Sequence, residues 1–297
     1  MAHILVTGGQ GQVGRELARI DWPAGVALHL PERNELDLMS RRAVDALLAS
    51  GGYDAIINCA AFTAVDKAES TPEEAFQING QAPGWLAASG IPLIQVSTDY
   101  VFDGSKPAPY VEDDPVAPLG VYGQSKLEGE RAALSGRSRS IVLRTAWVLS
   151  PHRSNFLKTM LRLAGQQDKL RVVDDQHGCP TSARDIAGAL AAIVQRLIAD
   201  RDAPTGIYHF VNGGEASWCD LAREIFAISA AAGGPSADVE GIGTADYPTA
   251  ARRPANSRLS TTKISADYHI LPRDWRLAVR EIMEELGRTG GLGGTSK

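Results

Sequence analysis

A tyrosine and a lysine stand four residues apart in the segment VYGQSKLEGE, which has a helical pattern. At this spacing Tyr122 and Lys126 share one face of a helix. A phenol is a poor acid at neutral pH, with an ordinary pKa of about 10, and a neighbouring ammonium lowers that pKa. The pair therefore indicates either a proton donor tuned for general acid catalysis or two exposed side chains on a helix.

A glycine-rich turn near the N-terminus suits a phosphate group. The segment TGGQGQVG places Gly8, Gly11 and Gly14 between a predicted strand over 3–8 and a predicted helix over 12–20. Glycine permits a tight turn and a close approach of the backbone to a pyrophosphate, and the helix N-terminus offers unpaired N–H groups. The order of strand, glycines and helix favours a bound dinucleotide over a turn without a ligand.

Two charged residues follow the second predicted strand, where the adenine ribose of a dinucleotide normally lies. Glu32 is placed to bind a ribose 2′-hydroxyl, whereas Arg33 is placed to pair with a 2′-phosphate. Solvation is the alternative for either side chain. Arg33 favours NADPH as the cofactor, and NADH remains open.

The bulk properties exclude several classes of protein. The chain has 297 residues, a formal charge of -5 and 44% hydrophobic residues, which is typical of a soluble globular protein and gives no basic surface for nucleic acid. Because no apolar run is long enough to span a bilayer, we expect no membrane span. Because a strand pattern begins at once, we expect no signal peptide. Three distant cysteines, Cys59, Cys179 and Cys219, indicate a reducing cytoplasm and no zinc site.

Strands and helices alternate through the first half of the chain. Apolar runs at 3–8, 26–30, 54–61, 92–102 and 140–149 predict strands, with helical patterns between them. This alternation predicts right-handed βαβ units in an α/β fold, a Rossmann-type, doubly wound parallel sheet covered by helices on both faces.

Capping signals mark several helices. Ser40 is placed to cap one helix, Pro72 falls in the first turn of a helix over 71–89, and Thr181 marks the start of a long alanine-rich helix.

Three regions follow from this pattern. We expect a dinucleotide-binding core over 1–150 and a smaller, intertwined C-terminal substrate lobe over 151–286, some of whose segments return to the core. The glycine-rich segment 287–297 is predicted to be a flexible tail.

Longer motifs identify a family. The glycine turn and the Tyr-x-x-x-Lys pair together resemble the extended short-chain dehydrogenase/reductase family. The segments NCAAFTAVDKAES, VSTDYVFDG, RTAWVLS, DDQHGCPTSARDIA and RRPANSRLST narrow this resemblance to the dTDP-4-dehydrorhamnose reductases. The resemblance implies NADPH-dependent reduction of the 4-keto group of dTDP-6-deoxy-L-lyxo-4-hexulose to dTDP-L-rhamnose, a step in cell-surface polysaccharide biosynthesis.

The resemblance also assigns site residues. It implies Thr98 as the catalytic hydroxyl beside Tyr122 and Lys126, with Lys126 lowering the Tyr122 pKa and holding the nicotinamide ribose. The substrate-binding residues that it implies are Thr98, Asp99, Trp147, Arg253 and Asn256. For Trp147 a role as an ordinary core aromatic is the alternative, and for Arg253 and Asn256 it is a solvated loop. The predicted cofactor-binding residues are Gly8, Gly11, Gln12, Val13, Gly14, Arg33, Asp37, Leu38, Ala60, Ala61, Thr63, Tyr122 and Lys126.

A homodimer is one expectation from the resemblance, because some members of the family dimerise through Mg²⁺ held by glutamates. Glu16 and Glu285 stand at plausible counterparts, but Arg184 occupies the third position and an arginine cannot ligate a cation. We therefore expect no metal.

Two other functions remain open at this point. One is a cofactor-binding regulatory subunit similar to that of methionine adenosyltransferase, and the other is a reductase of a different nucleotide deoxysugar.

Overall fold

The fold is taken from a computed structural model that describes residues 1–289. Its strands are β1 Ala2–Thr7, β2 Val26–His29, β3 Ala55–Asn58, β4 Leu93–Thr98, β5 Ser140–Thr145, β6 Val148–Leu149, β7 Lys169–Val173, β8 His177–Gly178, β9 Thr181–Ser182, β10 Gly206–His209, β11 Ala216–Ser217 and β12 Asp238–Ile242. Its α-helices are α1 Gln12–Leu17, α2 Arg41–Gly51, α3 Val65–Ala68, α4 Pro72–Phe76, α5 Ala82–Ala87, α6 Val121–Ser135, α7 Phe156–Ala164, α8 Ala183–Ala199, α9 Trp218–Ala231, α10 Thr262–Tyr268 and α11 Trp275–Arg288.

Six parallel strands form the central sheet, in the order β10-β5-β4-β3-β1-β2. The chain runs outward from β1 to β2 and then returns to place β3 on the other side of β1. This reversal is a topological switch point, and ligands of such sheets bind beyond the carboxyl ends of the strands that flank it. The predicted Rossmann-type parallel sheet is confirmed.

Apolar side chains cover both faces of this sheet. On one face Ile4, Val6 and Ile57 pack with α1 and with the buried stripe of α8, which includes Ile186 and Leu190. The stripe recurs at helical spacing because α8 presents one side to the sheet. On the opposite face a second cluster joins Leu5, Val44, Ile56, Leu86 and Leu93. The two layers fix the strand ends that carry the site.

The predicted helix over 71–89 is interrupted. A π-helical segment, Gln77–Gln81, separates α4 from α5. Pro83 has no N–H to offer the carbonyl four residues earlier, so a regular helix cannot continue through this point. The irregular segment contains Asn79, whose side chain accepts from the Phe62 N–H and donates to the Phe62 carbonyl. The same side chain donates to the Ser125 hydroxyl in α6. The interruption therefore ties the segment after β3 to the helix that carries Tyr122.

Two of the three predicted helix starts are confirmed, and one is wrong. Ser40 caps α2 by accepting from the Ala43 N–H, and Pro72 begins α4 as predicted. Thr181 was the wrong start for the alanine-rich helix. The side chain of Ser182 accepts from two backbone N–H groups of α8, while Thr181 belongs to β9.

The second half of the chain contributes to two regions. The strand β10 and the helix α8 belong to the central sheet and its cover. The parallel pair β7–β12 packs with α7, α9 and α11 around a separate cluster that includes Leu161, Ile225, Trp275 and Ile282. The helix α11 ends at Arg288. The rest of the predicted tail, from residue 290 onward, lies outside the described residues.

None of the helices in the described part of the chain has both the length and the apolar character needed to cross a bilayer.

Candidate active site

A cavity of about 960 Å³ opens at the carboxyl ends of the central strands. Its walls are the segments that follow β1, β3, β4 and β5, together with the start of α6. The cavity is large enough for a dinucleotide and part of a second ligand to share it. Predicted site residues that line it are Gly8, Gly11, Gln12, Val13, Gly14, Arg33, Asp37, Leu38, Ala60, Ala61, Thr63, Thr98, Asp99, Tyr122, Lys126 and Trp147.

The glycine turn is shaped for the close approach of a ligand. Gly8 has a φ of +71°, and a Cβ there would lie 2.6 Å from the backbone nitrogen of Ala60. A Cβ on Gly14 would lie 2.4 Å from the Gly8 carbonyl oxygen, so only glycine fits. Gly11 precedes α1 without a side-chain cap, which leaves the first N–H groups of the helix free to meet a phosphate. These residues fit the pyrophosphate of a dinucleotide.

The far end of the cavity carries the residues predicted for the adenosine. Arg33, Asp37 and Leu38 all line it, and the Arg33 side chain is exposed there beside Glu32. A guanidinium at this place suits a 2′-phosphate, whereas the neighbouring Glu32 carboxylate opposes one. The structure brings both charges to the same rim.

The strand β4 ends at Thr98 and brings its hydroxyl to the cavity. The predicted strand over 92–102 is shorter than expected, because Asp99–Val101 forms a 3-10 turn. The Thr98 Oγ1 accepts from the Tyr100 N–H at 3.2 Å and thereby caps this turn. The turn directs the chain away from the sheet and leaves Thr98 facing α6.

The helix α6 packs closely against this turn. A Cβ on Gly123 would lie 2.2 Å from the Tyr100 carbonyl oxygen, so the contact requires glycine. The contact brings the Tyr122 phenol against the Thr98 hydroxyl. One helical turn later, Lys126 is 3% exposed and its Nζ donates to the Val96 carbonyl at 2.7 Å. Thr98, Tyr122 and Lys126 thus meet at one wall of the cavity.

Burial dominates the protonation behaviour of this group. It raises the pKa of Tyr122 above its ordinary value, and the nearby Asp99 carboxyl raises it further. The net pKa shift of Tyr122 is therefore upward, and the predicted lowering of that pKa by Lys126 stays a prediction. Burial lowers the pKa of Lys126 to about 8, with Glu130 partly opposing the shift. Tyr122 consequently keeps its proton at neutral pH, as a proton donor must.

Trp147, which follows β5, also lines the cavity. Its φ of +46° is rare for a bulky residue and marks local backbone strain. The indole stacks on Trp218 with ring centroids 3.5 Å apart and an interplanar angle of 7°. The stack joins the segment after β5 to the first residue of α9, so Trp147 connects the central sheet with the β7–β12 region.

Two predicted substrate residues do not line the cavity. The Arg253 guanidinium pairs with Asp66, with Nη2 and Oδ2 2.7 Å apart, and it lies near Tyr100, which does line the cavity. The Asn256 side chain donates to the carbonyls of Lys106 and Ala108. Both amide hydrogens of Asn256 therefore hold the surrounding loops together. The substrate contacts of Arg253 and Asn256 remain predictions.

Tyr100 and Arg153 are among the residues that line the cavity and that sequence reasoning did not assign to the site. Tyr100 packs edge-on against Tyr122, with ring centroids 5.4 Å apart. The signal was present, since Tyr100 lies two residues after Thr98 in the same motif. Arg153 lines the cavity with a positive φ of 59°, and its place in an irregular loop gave no sequence signal.

The residues considered for a cation make ionic contacts of their own. Arg19 donates to Glu285 at 2.8 Å and lies 3.5 Å from Glu16, while His152 lies 3.1 Å from Glu16. A guanidinium thus bridges the two carboxylates, and Arg184 supplies a second positive charge to the same surface. This set of side chains does not fit a magnesium ion.

Comparisons with known proteins agree with the site. The family model described as the RmlD substrate binding domain matches residues 1–288. A dTDP-4-dehydrorhamnose reductase from Sinorhizobium fredii is 44% identical over 95% of this chain and 96% of its own length. One from Escherichia coli K12 is 39% identical over 98% of this chain and all of its own length.

Solved structures show the same relationship. A dTDP-4-dehydrorhamnose reductase from Clostridium acetobutylicum matches with a TM-score of 0.88 and 35% identity, covering 96% of this chain and 99% of its own. One from Bacillus anthracis, solved in complex with NADP, matches with a TM-score of 0.87 and 29% identity, covering 96% of this chain and all of its own. The chain therefore belongs to the family described as the RmlD substrate binding domain, and its relatives there are dTDP-4-dehydrorhamnose reductases.

Proposed function

We propose that the chain is an oxidoreductase that uses NADPH to reduce the 4-keto group of dTDP-6-deoxy-L-lyxo-4-hexulose, giving dTDP-L-rhamnose. The observation that carries the proposal is the meeting of Thr98, Tyr122 and Lys126 in the cavity that also holds the glycine turn. A cofactor-binding regulatory subunit has no chemical need for this group. The names of the relatives and the NADP complex of one of them support the substrate and the cofactor.

The residues divide the work as follows. NADPH, when bound, supplies the hydride to the carbonyl carbon. Tyr122 donates a proton to the carbonyl oxygen, and its raised pKa keeps that proton available at neutral pH. Lys126, with a pKa of about 8, is mostly charged at neutral pH and stabilises negative charge that develops on the oxygen or on Tyr122. Thr98 orients the Tyr122 phenol and the substrate carbonyl.

The remaining cavity residues bind the two ligands. The glycine turn and the start of α1 hold the pyrophosphate, and Arg33 meets the 2′-phosphate of NADPH. Asp99 and Trp147 face the sugar. Arg253, held near Tyr100 by Asp66, supplies positive charge toward the diphosphate of the sugar nucleotide.

The test is a cofactor-oxidation assay with the keto sugar nucleotide generated in situ. We expect NADPH to be consumed in step with the formation of dTDP-L-rhamnose, identified by chromatography and mass spectrometry. The free 4-keto-6-deoxy sugar is expected to be a very poor substrate, because it lacks the base and phosphates that supply binding energy. Equal turnover of the free sugar would contradict the nucleotide-sugar assignment, and reduction of a different nucleotide sugar alone would reassign the substrate.

The proposal extends to assembly and location. We propose a cytoplasmic enzyme that functions without Mg²⁺ and forms a homodimer. Light scattering coupled to gel filtration tests the homodimer, and the cofactor-oxidation assay run with and without a chelator tests activity without Mg²⁺.

A further inference from the structure

A buried carboxyl group lies directly beside the Thr98 hydroxyl. Asp99 is 2% exposed, and its Oδ1 accepts the Thr98 hydroxyl hydrogen at 2.9 Å. Its Oδ2 is buried and has no hydrogen-bond partner among the described residues. A buried carboxylate with one unpartnered oxygen is costly. A proton on Oδ1, the oxygen beside Thr98, removes the negative charge and leaves Oδ2 as a neutral carbonyl oxygen, which costs less to bury.

The Thr98 hydroxyl has one proton and two lone pairs to distribute. One lone pair accepts from the Tyr100 N–H at 3.2 Å. When the proton goes to an Asp99 carboxylate, Thr98 can offer only its second lone pair to Tyr122, which lies against it. The Tyr122 proton is then drawn toward Thr98 and away from a substrate oxygen.

We propose that Asp99 is a positioning residue that reverses this chain of hydrogen bonds when its carboxyl group is protonated. The Asp99 O–H then donates to the second lone pair of Thr98, and the Thr98 proton is free to donate to Tyr122. Tyr122 in turn directs its own proton toward the substrate carbonyl. The reversal of the hydrogen bonds does not depend on any reaction, whereas its effect on catalysis rests on the proposed reductase function.

The proposed proton path balances. Hydride transfer reduces the carbonyl carbon by two electrons and oxidises the nicotinamide, and the oxygen takes one proton from Tyr122. Tyr122 takes the Thr98 proton, and Thr98 takes the Asp99 proton, so the O–H bond of Asp99 breaks last. The products are the alcohol, the oxidised cofactor and an Asp99 carboxylate, which regains a proton from solvent before the next turnover.

The surroundings of Asp99 favour its protonated form. Tyr100 on the same turn, Tyr122 on α6 and Cys179 from the segment between β8 and β9 are the titratable groups that it influences. Ser257 faces the carboxyl group from the loop before α10, and its hydroxyl lowers the pKa of Asp99 and so partly opposes burial, although it makes no well-formed hydrogen bond to Oδ2. None of these four neighbours is a cation.

The basic side chains nearby are engaged elsewhere. Lys126 donates to the Val96 carbonyl, and Arg253 pairs with Asp66. Burial therefore raises the pKa of Asp99 from its ordinary 3.8 to about 6. The acid form and the reversed chain are present below that pH, and both are lost as the pH rises through it.

The first test needs no substrate. The protein is labelled with ¹³C at the aspartate carboxyl carbon and the tyrosine ring carbon that bears the oxygen, and it is titrated by NMR. We expect Asp99, assigned by Asp99→Asn, to titrate near pH 6, and the Tyr122 resonance to move with the same midpoint. The matched control is Asp113→Asn, an exposed carboxylate outside the cavity, which should keep this coupling. An Asp99 that titrates near its ordinary value, or a Tyr122 resonance that does not follow it, overturns the proposal.

The second test measures turnover. In the wild type and in Asp113→Asn, kcat/KM should fall about tenfold per pH unit above pH 6, whereas Asp99→Asn should lose this dependence because an amide does not titrate. A profile without a break near pH 6 in the wild type, or a break that persists in Asp99→Asn, overturns the role in catalysis. A coupled NMR titration without any reduction of the sugar nucleotide would contradict the proposed function and leave the hydrogen-bond reversal standing.

Discussion

Replacing Tyr122 with phenylalanine removes one oxygen atom from the cavity wall formed by Thr98, Tyr122 and Lys126, and leaves the ring. The ring keeps its edge-on contact with Tyr100, and Lys126 keeps its hydrogen bond to Val96. Binding of NADPH should therefore be nearly unchanged. The lost phenol is the proton donor of the proposed mechanism, so the loss should appear in kcat.

The size of the effect follows from general acid catalysis. A positioned proton donor contributes about 10²- to 10⁴-fold to the rate, which corresponds to roughly 3–5 kcal/mol of activation free energy. The same change removes one contact with Thr98, and a single hydrogen bond contributes only about 0.5–1.5 kcal/mol to the free energy of unfolding. Activity should thus fall far more than stability.

A second tyrosine provides the matched control. The Tyr110 hydroxyl donates to Asp103 at 2.9 Å, and its ring stacks on Phe102 outside the cavity. Tyr110→Phe should lose a similar amount of stability and keep kcat close to that of the wild type. Steady-state kinetics, NADPH titration by fluorescence and urea unfolding are measured on both variants. A kcat for Tyr122→Phe that matches that of Tyr110→Phe would remove Tyr122 from the mechanism.

Three further substitutions separate binding, tuning and stability. Arg33→Ala should raise the Kd for NADPH more than that for NADH, and equal effects would show that Arg33 does not contact the 2′-phosphate. Lys126→Met should lower kcat yet leave the melting temperature at pH 7 unchanged or higher, because the depressed pKa of the lysine reflects a burial cost of about 3 kcal/mol that methionine avoids. The wild type should gain stability relative to that variant between pH 8 and 10.5, where the unfolded lysine binds more protons than the folded one. Glu130→Ala should cost about 3–5 kcal/mol of unfolding free energy because it strands the buried guanidinium of Arg144, whereas Glu128→Ala on the exposed side of α6 should cost far less.

The part of the site that sequence predicts well is the part made by backbone geometry. Gly8 and Gly14 have roles that no other residue fulfils, so their spacing after a strand identifies the turn directly. Tyr122 and Lys126 lie on one face of a helix because they are four residues apart, and this relation does not depend on the rest of the fold. Parallel strands then bring these local signals to one edge of the sheet.

Side chains in long loops are harder to assign. Asn256 has the right chemistry to bind a sugar or a base, yet its amide donates to two backbone carbonyls in a neighbouring loop. Arg253 has the right charge for a phosphate, yet Asp66 holds its guanidinium. A loop without regular structure must satisfy its own polar groups with side chains, so some polar residues that resemble ligands are used to hold the loop.

The protonation state of the site residues is the property that local sequence predicts least well. The motif STDY shows a hydroxyl and a carboxyl group side by side, but not that the carboxyl group is almost fully buried with one oxygen unpartnered. Likewise, the Tyr-Lys spacing suggests a lowered phenol pKa, while burial under the turn after β4 raises it. A spacing rule counts only neighbours on one element, whereas desolvation depends on every element that closes the cavity. The sequence therefore identifies which groups meet, and only the packed structure decides which of them holds the proton.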